Sequence, residues 1–276
     1  MTWTELQVRH QRADARAVVI AALVQAGAPA VQERADDLLT HVPDTTDLDA
    51  LRATLRAADA SASLQSLDVG EIDWAARWPA AVGVNRVGDI AVAPPWLADE
   101  IRNAKFPVVI DPGTAFGTGE HETTRGVLRL LPGVVERGDT VIDVGTGSAV
   151  LAIAAARLGA ARVIGIELDE QAIANAESNV AANDVADRVG IIEGDAGVIV
   201  PLVAPARVIL ANIISSVILD LAPVFRGALS PGGRVVISGI LVAERDAVSA
   251  SLRDAGWRVE TGYAEGDWWS SVIAPR

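Results

Sequence analysis

The residues with chemistry to offer stand at the ends of short apolar runs. "VIDVGTG" (141–147) places Asp143 just ahead of Gly145 and Gly147, between an apolar run and the helix-like "SAVLAIAAARLGA". Glycines at that junction let the backbone turn tightly and approach a ligand closely. "RVIGIE" (162–167) ends on Glu167, 22 residues after Gly145. A carboxylate there is placed to accept hydrogen bonds from both hydroxyls of a ribose. "EGDAG" (193–197) offers Asp195, either as an acceptor for a purine amino group or as an ordinary turn residue. "ILANII" (209–214) ends on Asn212, whose amide can accept from a substrate amine or cap the helix that begins near residue 214.

A second glycine-rich stretch, "DPGTAFGTGEHETT" (111–124), has the look of a phosphate loop. A P-loop ends in Gly-Lys followed by Ser or Thr. Here Glu120 and His121 follow Gly119, so the lysine is missing. The dinucleotide fingerprint would require Gly or Ala at position 150, which is Val150, so hydride chemistry is disfavoured too. An acidic residue just before the first glycine of the turn points instead to S-adenosylmethionine. That molecule carries no phosphate. The ammonium group of its amino-acid tail and its sulfonium are cationic, and a nearby carboxylate offsets them.

The elements that must position these groups fall into two patterns. Residues 1–70 read as a small α+β unit: strand 3–10, helix 12–27 stopping at Gly27, strand 36–42, helix 46–58 with Thr46 or Asp47 as cap, strand 61–69. Residues 71–83 read as a linker helix with Trp74 and Trp78 on one face. Residues 84–276 form the larger domain. "RVGDIAVAPPW" (86–96) reads as one strand closed by two prolines. From residue 123 onward apolar strands alternate with amphipathic helices, the pattern of a parallel sheet covered on both faces. "WRVETGYAE" and "DWWSSVIA" meet too closely around Gly266 for a crossover, so one of them runs antiparallel. Ligands of such sheets bind beyond the carboxyl ends of the strands, where the strand order reverses.

Composition narrows the field further. The chain has 276 residues, half of them hydrophobic, and no cysteine. That excludes disulfides, iron–sulfur clusters and cysteine nucleophiles, and it suits a cytoplasmic setting. His10, His41 and His121 lie far apart without metal-ligand spacing. No apolar run reaches the ~18 residues of a membrane helix, and the amino terminus does not read as a signal peptide. The net charge of −13 disfavours nucleic acid and suits a basic protein partner.

These segments, with "GIELDEQAIANAESN", "LSPGGRVVISGIL", "DWAARW" and "EGDWW", resemble the PrmA family over nearly the whole chain. That family methylates protein eleven of the large ribosomal subunit. The resemblance implies an α/β fold: a seven-stranded methyltransferase sheet with a C-terminal antiparallel hairpin, preceded by a ferredoxin-like recognition domain. It implies that S-adenosylmethionine contacts Thr124, Gly145, Glu167 and Asn212, with Asp143, Gly147, Asp195 and Thr118 completing the site. Phe116 would be an apolar lid near the methyl, and Phe116 and Asn212 the residues at the reacting centre. His121 reads as a loop-ordering hydrogen-bonder. The implied reaction is methyl transfer to lysine amines, and to an N-terminal amine, by a cytoplasmic monomer. Two departures stand out: Ala149 replaces a usual glycine, and Glu167 replaces the aspartate expected there. A lysine of a different protein as target, or a cofactor-binding regulatory module with little catalysis, are the competing readings.

Overall fold

The structure is a computed structural model that describes residues 3–9, 16–28, 31–33, 37–43, 45–67, 83–113, 117 and 119–276. The chain divides into two compact units, Met1–Arg77 and Trp78–Arg276. The expected linker helix, with Trp74 and Trp78, lies outside the described residues.

In the first unit, β1 (Trp3–Arg9), α1 (Arg16–Gln25), β2 (Val31–Glu33), β3 (Leu38–Pro43), α2 (Leu48–Ala58) and β4 (Ser63–Leu67) follow one another. The sheet order is β2-β3-β1-β4, with every neighbouring pair antiparallel. Alternation along β1 buries Leu6 and Val8 against α1 and α2, which contribute Val19, Leu23, Leu51 and Leu55. Asp47 starts α2: its side chain accepts from the amides of Asp49 and Ala50, each at 3.0 Å.

The second unit begins with a three-stranded sheet. β5 (Asn85–Val87) and β6 (Ile90–Ala93) form a hairpin rather than the single strand expected from the sequence, because Gly88 turns the chain at φ 59°. β6 then pairs in parallel with β7 (Phe106–Val109), after the short helix α3 (Ala98–Ile101).

The main sheet holds β8 (Thr140–Val144), β9 (Arg162–Glu167), β10 (Val189–Glu193), β11 (Ala206–Asn212), β12 (Leu229–Leu241), β13 (Trp257–Glu265) and β14 (Trp268–Pro275). Their order is β10-β9-β8-β11-β12-β14-β13. All pairs up to β12 are parallel, and β14 alone runs against its neighbours. The sequence expectation of seven strands with an antiparallel hairpin is therefore met. Six helices cover the sheet: α4 (Glu122–Leu130), α5 (Val150–Leu158), α6 (Glu170–Ala182), α7 (Ala196–Val203), α8 (Ser215–Ala228) and α9 (Arg245–Asp254). Successive strand residues feed two separate cores. Val141, Val163 and Val208 pack with α4, α5 and α6, whereas Ile142, Ile164 and Ile209 pack with α7, α8 and α9. Burial on both faces is why these strands read as unbroken apolar runs. The strand order reverses between β8 and β11, so the cleft opens at their carboxyl ends.

Candidate active site

The turn after β8 winds through three left-handed residues: Gly145 at φ 67°, Gly147 at φ 52° and Ala149 at φ 66°. A Cβ on Gly145 would stand 2.7 Å from Ile213 Cγ2, so close packing as well as φ demands glycine there. The Gly145 and Thr146 amides both donate to the carbonyl of Ile166, at 2.9 and 3.1 Å, which ties the turn to β9. Asp143 lies beneath the turn, 1% exposed. Its Oδ2 accepts from the Thr146 hydroxyl at 2.7 Å, and its Oδ1 is buried without a hydrogen-bond partner. Burial pushes this carboxyl up to about 7, with the hydrogen bond from Thr146 offsetting part of the rise.

Glu167 closes β9 beside the same turn. Its Oε2 accepts from the Gly147 amide at 2.9 Å, while Oε1 accepts from the amides of Leu168 and Asp169 at 2.8 and 3.2 Å. Three of the roughly four lone-pair positions on a carboxylate are thereby used by backbone. Glu167 thus shapes the turn, which the sequence reading did not foresee, and it still lines the cleft. That cleft is a cavity of about 230 Å³ bounded by Gly145, Glu167, Asp195 and the apolar side chains of Ile166, Leu168 and Ile213. Asp195 is the N-cap of α7: its Oδ1 accepts from the Gly197 amide at 2.6 Å, leaving Oδ2 open. The turn role and the ligand role offered for Asp195 are compatible.

Asn212 ends β11, half-buried, and its side-chain amide makes no hydrogen bond among the described residues. Across the strand pairing stands Ser238 of β12. The Ser238 hydroxyl, fully buried, lies 3.0 Å from the Thr123 carbonyl and 2.7 Å from the Ser270 hydroxyl. It thereby fastens the first turn of α4 to the sheet. In that turn Thr124 is fully buried, and its Oγ1 has no partner. His121 caps α4: its Nδ1 accepts from the Thr123 amide at 3.3 Å, and its ring meets Trp268 edge-on at 5.3 Å.

The glycine-rich stretch is bent around protein, at least where it is described. Gly113, Gly117 and Gly119 have φ of 47°, 106° and 89°. A Cβ on Gly113 would run into the Asn175 amide, one on Gly117 would stand 2.9 Å from Ser148 Oγ, and one on Gly119 2.8 Å from Val92 Cγ1. The Ser148 hydroxyl donates to the Gly117 carbonyl at 2.6 Å, joining this stretch to the β8–α5 turn. Phe116 and Thr118 lie outside the described residues. Thr146 and Ser148 escaped the sequence reading because a lone hydroxyl in a turn is indistinguishable from an ordinary turn former.

The residues present fit a sulfonium nucleoside. Asp143 and Glu167 supply negative charge beside the turn, Glu167 and Asp195 border the cavity, and Asp143 Oδ1 and Thr124 Oγ1 are buried oxygens awaiting partners. Among the described residues no lysine or arginine lines the cavity, so a phosphate would find no counter-charge from them. Among the described residues no group of three His, Asp or Glu side chains is placed to hold a metal, and no helix is long and apolar enough to cross a membrane.

Comparison with known proteins agrees with this geometry. The family model described as "Ribosomal protein L11 methyltransferase (PrmA)" matches residues 2–275. The ribosomal protein L11 methyltransferase of Symbiobacterium thermophilum is 42% identical over 213 residues, covering 75% of this chain and 66% of that protein, so the chain spans about two thirds of its length. The enzyme of the same name from Thermus thermophilus is 39% identical over 201 residues, covering 73% of this chain and 77% of that protein. The crystal structure of a ribosomal protein L11 methylase from Lactobacillus delbrueckii subsp. bulgaricus superimposes with a TM-score of 0.62 at 28% identity, over 70% of this chain and 98% of that one. With a family match that runs almost end to end and a cleft whose carboxylates and glycine turn suit the chemistry, the chain belongs to the ribosomal protein L11 methyltransferase (PrmA) family.

Proposed function

We propose that this protein uses S-adenosylmethionine to methylate amino groups of ribosomal protein L11, on lysine side chains and at the N-terminus. One observation carries the reading: Asp143, Glu167, Asp195 and Asn212 all stand at the carboxyl ends of β8, β9, β10 and β11, or within two residues of them. S-adenosylmethionine supplies an electrophilic methyl group on a positively charged sulfur. Glu167 and Asp195 hold the nucleoside end, and Asp143 balances the cationic part from beneath the turn. Asn212 accepts a hydrogen bond from the incoming amine, so that the nitrogen lone pair points along the line of displacement. Thr124, with its buried free hydroxyl, borders the same end of the sheet.

The amine must arrive uncharged. A free lysine has a pKa of about 10.4, and both desolvation in the cleft and a nearby positive charge favour its neutral form. His121 is occupied as a helix cap, so proton removal falls to solvent, and alignment supplies most of the rate, worth roughly 7–11 kcal/mol at best. The first unit recognises the substrate. It forms its own core, with Leu6, Val8, Leu23 and Leu55 buried in it. The net charge of −13 favours encounter with a basic ribosomal protein in the cytoplasm.

The test is methyl transfer from labelled cofactor to purified L11, with modified positions located by mass spectrometry. Label on lysines of L11 is the expected result. Label on another protein of a cell extract, with L11 untouched, would redirect the substrate assignment. Cofactor binding without any transfer would make the protein a regulatory module.

A further inference from the structure

Helix α6 carries Asn175 and Asn179, and Asn183 is its C-cap, so the three stand at intervals of four along one side. The last two are 1% exposed. They bond a segment that leaves edge strand β7. Asn183 accepts from the Val109 amide at 2.8 Å and donates to the Val109 carbonyl at 2.5 Å. Asn179 accepts from the Asp111 amide at 2.8 Å and donates to the Asp111 carbonyl at 3.1 Å, which also receives Asn175 at 3.2 Å. Four helical residues advance about 6 Å and two extended residues about 6.6 Å, so amides spaced by four can serve carbonyls spaced by two. The side chains act as a strand partner for backbone that has none.

Asn179 does one thing that Asn183 does not. Its Nδ2 also donates to the Ser148 carbonyl at 3.1 Å. Ser148 follows Gly147, whose amide holds Glu167, and its hydroxyl holds the Gly117 carbonyl. One buried amide therefore bridges the start of the glycine-rich stretch and the turn that faces the cleft.

We propose that Asn179 is a positioning residue for cofactor binding: it sets the spacing between the Gly145–Ser148 turn and the backbone at Asp111. This rests on the assignment of that turn to S-adenosylmethionine. Asn183 supplies the control, since it makes the same kind of bonds from the same helix but touches no part of the turn.

The experiment measures S-adenosylhomocysteine affinity by calorimetry and methyl-transfer kinetics for the unsubstituted protein, Asn179→Asp, Asn179→Ala, Ser148→Ala and Asn183→Ala, with thermal unfolding alongside. Asn179→Asp keeps the size and the acceptor but turns an oxygen toward two carbonyls. Asn179→Asp and Asn179→Ala should weaken binding about tenfold or more and raise KM for the cofactor with kcat retained at saturation. Asn183→Ala should lose thermal stability while holding its affinity within about twofold. Ser148→Ala removes the neighbouring tether without touching α6. It should also weaken binding, so the proposal is tested even if the Asn179 variants fail to fold. Equal affinity losses at 179 and 183, or full affinity in Asn179→Asp or Ser148→Ala, would overturn the proposal. No binding by the unsubstituted protein would instead overturn the cofactor assignment itself.

Discussion

Asp143 and Glu167 grip the same four-residue turn from adjacent strands. The Thr146 hydroxyl donates to Asp143 at 2.7 Å, and the Gly147 amide donates to Glu167 at 2.9 Å. Two carboxylates thus sit close together, one fully buried, and the charge of Glu167 adds to the burial that raises Asp143.

Stability should report this directly. With a folded pKa of about 7 against an ordinary value of 3.8, Asp143 holds its proton more tightly in the folded state. Its contribution to stability is full below pH ~4 and declines as pH rises toward 7, by roughly 4 kcal/mol at most. Asp143→Asn removes the buried charge. In thermal unfolding without ligand, the variant should gain on the parent as pH rises from 5 to 8, and the gain should vanish near pH 4. A constant difference across that range would show that Asp143 does not titrate there.

Binding should show the opposite preference. The carboxylate, not the acid, favours a cationic ligand, so affinity for S-adenosylmethionine should strengthen from pH 6 to pH 8, with proton release detectable by calorimetry in buffers of different ionisation enthalpy. Asp143→Asn should bind about tenfold more weakly at pH 8 and lose the pH dependence. An unchanged pH profile in the variant would detach Asp143 from the ligand's charge.

Ala149 occupies the left-handed region at φ 66° and ψ 15° with its side chain fully buried. That conformation costs an L-residue roughly 1–2 kcal/mol, against about 0.4–1 kcal/mol of unfolded-state entropy that glycine would add. Ala149→Gly should therefore be neutral or stabilising by up to about 1 kcal/mol in denaturant unfolding. Ala152→Gly, inside α5, should destabilise by about 1 kcal/mol. Similar losses at both positions would mean that the Ala149 methyl packs well enough to outweigh its strain.

Asn212 has an open amide at the end of β11. Asn212→Ala should lower kcat on the order of a hundredfold through lost alignment, with cofactor affinity changed by no more than about threefold. Rapid-quench kinetics with calorimetry separates the two quantities. Matched losses in both would reduce Asn212 to a structural part.

Much of this architecture is legible in the sequence because the sheet is buried on both faces. Runs such as "TVIDV" and "ARVILAN" alternate between two cores, and that leaves them uniformly apolar. The polar residues at or next to the ends of these runs, Asp143 and Asn212, stand out for the same reason. Helix α7 was not foreseen because Gly197 and Pro201 read as breakers, yet packing of Val200 against the sheet overrides them. Strand β7 was hidden by Pro107, which an edge strand tolerates. The asparagine ladder on α6 had visible spacing, but a polar helix face normally meets water. Only the tertiary fold brings Val109 and Asp111 against it.

Strand β14 lies between β12 and β13 in the sheet but follows β13 along the chain. Synthesis therefore delivers an outer ribbon before the one that joins it to the rest. A nascent polypeptide cut off at Glu265 would carry β13 with no ladder to enter, and β12 would show a row of bare amides to any passing chain. Stalled or prematurely released products that stop short of Trp268 should be sticky, whereas a product that includes Trp268–Pro275 seals that seam with this eight-residue ribbon.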